Sequence, residues 1–252
     1  MATVAESKAE YRGTVIRDDA SLAAWLAKHA EPALEPDLPI IDPHHHFWDS
    51  PHRGKYFLPE LLADLSGGHN IVSTVFLECR AMYRKTGPRE MAAVGEVEFV
   101  NGIAAMSASG NYGPCRVAEA IVGGGDLSVG AKVRDLFEAE IAAAGGRLRG
   151  IRHGVAWDEH KAISDFASRA VPLHQVMDPR FREGFAQLAP LGLTSFLERC
   201  RVVVAGRLRT LAAGSLDLRG ITFRSPSPGS SNDCAAVFSE RPRTMSLMGT
   251  SA

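Results

Sequence analysis

Several absences narrow the reading of this chain before any motif is considered. Its four cysteines, Cys79, Cys115, Cys200 and Cys234, stand far apart with no CxxC pair. That spacing indicates neither a disulfide framework nor a zinc knuckle. No apolar run approaches the length of a membrane span, and the opening stretch, MATVAESKAEYRGTVIRDD, carries no hydrophobic leader core. Neither sign of charge is in excess: 28 basic and 29 acidic side chains leave a formal net charge of -1. A nucleic-acid or membrane partner is therefore not expected, and a reduced, cytoplasmic setting is. The glycine run Gly123-Gly124-Gly125 lacks both the dinucleotide fingerprint and the Lys-Ser/Thr of a phosphate loop, so it reads as a turn.

What is present points to one stretch. With 252 residues, 45% of them hydrophobic, the chain can bury a sizeable core, and α/β barrels often reach this length undivided. Pro39-Ile40-Ile41 leads into Asp42-Pro43-His44-His45-His46-Phe47-Trp48-Asp49, three consecutive histidines at the end of a short apolar strand. In an extended chain alternate side chains share a face. Asp42, His44 and His46 would then point one way, with Pro43, His45 and Phe47 pointing the other. Two imidazoles on one face can chelate a divalent metal or polarise one carbonyl, while His45 supports the loop.

The rest alternates strand and helix. Residues 21–30 read as a short helix, followed by an extended passage punctuated by Pro32, Pro36 and Pro39. Leu58 to Leu65 is a helix with Pro59 in its first turn. Ile71 to Leu77 is a β-branched buried strand ending in Glu78-Cys79-Arg80. A helix from Pro88 to Ala105 follows, then a strand over 116–122. Lys132 to Ala144 is a helix with Val133, Leu136, Phe137 and Ile141 on its apolar face, stopped by Gly145-Gly146. Leu148 to His153 is a fourth strand, 178–188 a helix, and Leu191-Gly192-Leu193 leads into a fifth strand. This order implies βα units and a parallel sheet, with polar groups gathered at the carboxyl ends of the strands.

With those strand ends in place, the chain resembles the amidohydrolase-related family. This is the branch of metal-dependent (β/α)8-barrel hydrolases that contains pyrone-dicarboxylate lactonase and sugar lactonases. The family's Asp-x-His-x-His strand is matched by Asp42, His44 and His46, with Phe47-Trp48 and Asp49 as in the lactonase-like group. TVFLECRAMYR, with Glu78 and Arg80, resembles the second strand and its loop. GRLRGIRH resembles the fourth, where Arg152 would meet a substrate carboxylate. The match covers roughly residues 38–194.

The resemblance implies an α/β fold of the (β/α)8 TIM-barrel type, cut to its first four to five βα units. It implies catalytic roles for His44, His46 and Glu78, metal ligation by His44 and His46, and substrate contacts from Arg152 and Arg80. The expected cofactor is a divalent metal, zinc first, with a metal-free site left open. The expected partner is a small molecule, and a homo-oligomer is allowed. Lactone hydrolysis leads; a zinc-dependent decarboxylase, an amide hydrolase and a non-catalytic half-barrel are the alternatives. His153 follows Arg152 by one position, so only one of the two can face inward, and Arg152 is preferred.

The end of the chain departs from this pattern. After Thr194 there is no His, Lys, Trp or Tyr, and eight arginines stand against four acidic residues. The family's later histidine and closing aspartate have no counterpart. A βα unit needs roughly 30 residues, so the stretch from Thr194 to Ala252 cannot hold four more of them. The chain therefore divides into an arm (1–37), a barrel portion (38–194) and an atypical tail (195–252). Two causes of that tail are open: loss of the native reading frame near residue 194, or a real divergent end that closes a smaller fold. The nucleotide sequence after codon 194 decides between them, since after a frame loss the other frame should encode further strands with the missing His and Asp.

Overall fold

The computed structural model describes residues 19–28, 31–51, 54–157 and 171–198. In chain order the strands are β1 (Ile40–His45), β2 (Trp48–Ser50), β3 (Gly54–Tyr56), β4 (Ile71–Leu77), β5 (Arg116–Gly124), β6 (Leu148–Gly154) and β7 (Thr194–Glu198). The helices are α1 (Asp19–Leu26), α2 (Leu58–Leu65), α3 (Val94–Ala108), α4 (Val133–Ala143) and α5 (Pro179–Phe185). Five strands form one all-parallel sheet in the order β1-β4-β5-β6-β7, and β2 and β3 pair as a separate antiparallel hairpin. Each parallel neighbour follows its predecessor through a helical crossover, as βα units require.

The sheet is curled. Four inter-strand steps of about 4.8 Å would put the outer strands of a flat sheet roughly 19 Å apart. Yet the Phe196 ring of β7 lies 5.8 Å from the ring of His44 in β1, centroid to centroid. The result is a half-barrel with two faces. The convex face buries Phe47, Phe76, Val117, Ile121 and Ile151 against Val97, Val100, Phe137 and Phe181 of the helices. The concave face gathers Val75, Leu77 and Val122 with Ala120 and Phe196. The period of two sets this division: Phe76 and Leu77, Ile121 and Val122, Ile151 and Arg152 go to opposite sides. Each fully buried Phe contributes on the order of 1.5–3 kcal/mol.

Local chemistry fixes the element ends. Glu60 accepts the Phe57 N–H at 2.8 Å and closes the start of α2, one half of a capping box helped by Pro59 in the first turn. Asp178 accepts the N–H groups of Arg180 (2.7 Å) and Phe181 (3.3 Å) and caps α5, as short polar side chains do at helix starts. Ser107 at the end of α3 donates to the Cys115 carbonyl and accepts from the Val117 N–H, tying the helix to the start of β5.

Several expectations are corrected. Gly123 and Gly124 are not a turn: they are the last residues of β5, paired with Ile151 and Arg152. The apolar face of α4 does not include Ile141, which is 36% exposed; the buried position one residue earlier is Glu140. The 3-10 stretches Arg89–Met91 and Leu127–Lys132 precede α3 and α4, which begin later than the sequence suggests. The helix at the start ends at Leu26. Between the histidines and α2, Trp48–Ser50 and Gly54–Tyr56 pair as the β2–β3 hairpin, which has no counterpart in the sequence analysis. The ordered sheet runs past the 194/195 boundary to Glu198. The remainder of the expected tail, and the reading-frame question with it, lies outside the described residues.

Candidate active-site rim

The carboxyl end of β1 builds the first part of the site. Asp42 pairs with Thr74 and His45 with Phe76, so three steps on β1 face two on β4, a bulge. Pro43 sits in it, where its missing N–H breaks no ladder bond. Asp42 Oδ1 accepts the His44 N–H at 3.0 Å and holds the bend. Beyond the bulge, His45 and Phe47 enter the convex core, while His44 and His46 turn to the open end.

His46 has a defined tautomer. Its Nδ1 lies 2.7 Å from the Leu77 carbonyl. A carbonyl can only accept, so Nδ1 carries the proton and Nε2 presents a lone pair. The Nε2 atoms of His44 and His46 are 3.0 Å apart. In the metal-free protein His44 Nε2–H is thus the donor in that contact. The same convergence lets the two rings share one cation. Both line a cleft of about 470 Å³ between β1, α2 and the hairpin, together with Trp48, Tyr56, Asp64 and His69.

His45 is not a loop support but a core group. Its Nε2 meets Thr74 Oγ1 at 2.8 Å, and that hydroxyl oxygen accepts the Ala118 N–H at 2.9 Å. The Thr74 hydroxyl proton is thus available to His45, and the imidazole tautomer sets which of the two donates. The His45 Nδ1 is buried without a hydrogen-bond partner. Burial, with the neighbouring imidazoles, lowers its pKa to about 3, so the ring is neutral.

The end of β4 carries the second part. Glu78 accepts the Tyr83 hydroxyl at 2.8 Å, and Arg152, on the concave face of β6, donates to the Glu78 backbone carbonyl. Strand β5 lies between β4 and β6, so this contact spans it. Gly124 makes that reach available: a Cβ there would stand 2.6 Å from Glu78 Cγ and 2.7 Å from the Tyr83 hydroxyl. His46 and Arg152 thus lock onto adjacent carbonyls, those of Leu77 and Glu78. Arg80 follows in an exposed turn with φ 67°, in the left-handed region. The structure therefore brings His44 and His46 together, and Glu78 with Arg152, and leaves Arg80 on the outside of the turn.

Arg152 is inside and His153 outside, as the period of two demands. His153 is 3% exposed and meets Gly125 O, the Leu127 N–H and Gln175 Nε2. His69 and His174 are exposed; His29, His52 and His160 lie outside the described residues.

Beneath the rim lies a group of acids that the sequence reading missed. Glu96 of α3 is 1% exposed and Glu140 of α4 is 0% exposed. Glu96 Oε1 accepts the N–H groups of Cys79 (3.1 Å) and Ala81 (2.7 Å). Glu140 Oε1 accepts the Gly124 N–H at 3.3 Å, and its Oε2 has no hydrogen-bond partner. Burial first, and the nearby Glu78 second, push the Glu96 carboxyl up to about 8, since desolvation and like charge both disfavour the anion. Burial raises Glu140 well above the usual carboxyl range, against the opposing Gly124 N–H. Tyr83 is also held protonated, by burial and then by Glu78 and Glu96. The signal was in the periodicity. Glu140 occupies the i+7 place of the stripe Val133, Leu136, Phe137, and Glu96 adjoins Val97 in the stripe that continues through Val100 and Ala104.

Among the described residues, no group of three or more His, Cys, Asp or Glu side chains is clustered so as to hold a metal ion. The described part supplies two converging nitrogens. Among those same residues no helix is long and apolar enough to cross a membrane. Comparison of the chain with protein-family models, with curated proteins and with solved structures finds no match.

Proposed function

We propose that this chain carries the first half of an amidohydrolase-type (β/α)8 barrel, with a rim suited to hydrolysing a lactone or related carboxylated small molecule. The observation that carries the reading is the 3.0 Å approach of the His44 and His46 Nε2 atoms, with the His46 tautomer set by the Leu77 carbonyl. The motif order in the sequence supports it, as does the placement of both groups at carboxyl ends of parallel strands, where barrel active sites lie.

In this reading His44 and His46 hold a divalent metal, zinc first. Bound there, it would supply Lewis-acid polarisation of the ester carbonyl and a more acidic water. Without it, the His44 Nε2–H is the group able to donate to that carbonyl. Glu78, at the neighbouring strand end, is the base for the attacking water. Arg152 takes the substrate carboxylate with its planar guanidinium fork, and Arg80 guards the approach. The two nitrogens fit a metal but make only part of a ligand set, which water and further side chains would complete.

A second reading has its own observation. Among the described residues β1 pairs only with β4 and β7 only with β6, leaving two open sheet edges. A non-catalytic half-barrel that associates through those edges fits this equally directly. Titration with Zn(II) or Co(II), a panel of carboxylated lactones, and size-exclusion chromatography separate the two. The hydrolase reading expects stoichiometric metal binding weakened at least tenfold by His46→Ala, with turnover of at least one lactone. Metal binding indifferent to His44→Ala and His46→Ala, with no turnover and a concentration-dependent oligomer, leaves the half-barrel reading.

A further inference from the structure

We infer that Glu96 is a positioning residue for this rim: its carboxyl clamps the turn after β4 and thereby fixes the Glu78 carbonyl on which Arg152 is seated. The turn from Glu78 to Met82 is conformationally costly, and the Cys79 thiol anchors it to the Phe47 carbonyl at 3.2 Å. Arg80 (φ 67°) and Met82 (φ 53°) both occupy the left-handed region, which is costly for a residue with a Cβ. Such a turn persists only where its surroundings over-determine it. One oxygen, Glu96 Oε1, gathers the Cys79 N–H, the Ala81 N–H and, at 3.6 Å, the Cys79 thiol. These groups flank Arg80. The Cys79 N–H follows directly after the Glu78 carbonyl, and Leu77 is one residue further back.

The chain of contacts is short and continuous. Glu96 holds the Cys79 and Ala81 amides. The Glu78 N–H is held by Val122 O at 2.9 Å. The Leu77 carbonyl shares its peptide plane with that Glu78 N–H, so Val122 holds it for His46 Nδ1. The Glu78 carbonyl shares its plane with the Cys79 N–H, so Glu96 holds it for Arg152 Nη1. Without the clamp the turn relaxes toward ordinary φ values and the Glu78 carbonyl rotates with it. Arg152 then loses its seat while His46 keeps its own. The clamp asks only for a carbonyl-type acceptor, so a neutral acid or an amide serves as well as a carboxylate.

The inference rests on the site reading above for its chemical meaning, but its readouts belong to the metal-free protein. A chain that binds no metal and hydrolyses no lactone would sink that reading and leave this test intact. Two variants of the full chain are compared: Glu96→Met keeps the buried bulk and removes the acceptor, and Glu96→Gln keeps the acceptor. Proton–nitrogen correlation of the guanidinium groups reads whether Arg152 Nη1 is held, hydrogen exchange reads the amides, and the His46 imidazole shifts serve as the control.

In the wild type and Glu96→Gln, the Arg152 Nη signals are resolved and the Cys79 and Ala81 amides are protected. In Glu96→Met those two amides exchange at least tenfold faster and the Arg152 Nη signals average through free rotation. The His46 shifts and the Ile121 amide, bonded to Arg147 O, stay as they were. A folded Glu96→Met protein with wild-type exchange and wild-type Arg152 signals overturns the inference, as does a Glu96→Gln protein as disturbed as Glu96→Met. If Glu96→Met does not fold, scalar coupling across the hydrogen bonds from the Cys79 and Ala81 nitrogens to the Glu96 carboxyl carbon decides in the wild type, and its absence overturns the inference.

Discussion

Replacing Glu96 by Gln changes how stability depends on pH, by an amount the structure sets. The unfolded chain ionises this carboxyl near its ordinary value of 4.5, whereas the folded protein keeps the proton up to about 8, because the group is buried beside Glu78. Below about 4.5 both states are protonated, and the stability that Glu96 contributes is fully present. Between the two values the folded state binds more protons than the unfolded one, so stability falls as pH rises. The loss is about 1.4 kcal/mol per pH unit, or about 4 kcal/mol over the window. Glutamine keeps the acceptor for the Cys79 and Ala81 amides and does not titrate. Urea unfolding of the full chain, followed by far-UV circular dichroism at intervals from pH 5 to 8, measures the difference. Glu96→Gln should be close to the wild type at pH 5 and more stable than it by about 4 kcal/mol at pH 8. A difference that does not change with pH across that range would falsify the account of Glu96 as a buried, protonated acid.

Three further outcomes follow from other parts of the same region. His45 is neutral in the fold, with its pKa lowered to about 3 from 6.5. Its contribution is fully present above the unfolded value and drains away as pH falls toward the folded one, at about 1.4 kcal/mol per unit. An acid limb in the unfolding curve that is unchanged by His45→Gln would refute this. Thr74→Val keeps the shape but strips both His45 Nε2 and the Ala118 N–H of their partner. A loss of about 2–4 kcal/mol is expected from chemical denaturation, and a loss below about 0.5 kcal/mol would mean that both groups find other partners. Gly124→Ala drives a methyl into Glu78 and Tyr83. It should cost about 2–3 kcal/mol while breaking the Tyr83–Glu78 hydrogen bond. Retention of the Tyr83 hydroxyl proton signal in that variant would show that the rim has room the distances deny.

The strands were legible because each joins an apolar or β-branched run to a polar end, and the half-barrel follows from five such units in a row. His44 and His46 were legible for the same reason: the period of two separates them from His45 and Phe47 even across a bulge. What spacing could not show was the other side of the rim. Glu96 and Glu140 sit on apolar faces of helices, where a charged residue in a sequence is ordinarily read as solvated, and only packing against β4 and β5 reveals them as buried. The glycines at 123 and 124 looked like a turn because glycine breaks elements on average. Their reason is tertiary: Glu140 of α4 and Glu78 at the end of β4 occupy the space where a Cβ would be.

The sequence by itself determined the order of strands and helices, the face of β1 that carries the paired imidazoles, and that Arg152 and His153 take opposite sides of β6. These are properties of the local period and need no knowledge of neighbours. The tertiary structure alone decided that two imidazole nitrogens approach to 3.0 Å, that His46 is fixed by Leu77 and Arg152 by Glu78, and that two buried acids with raised pKa values underlie the rim. Those depend on the curl of the sheet and on desolvation, which are set by residues distant in the chain.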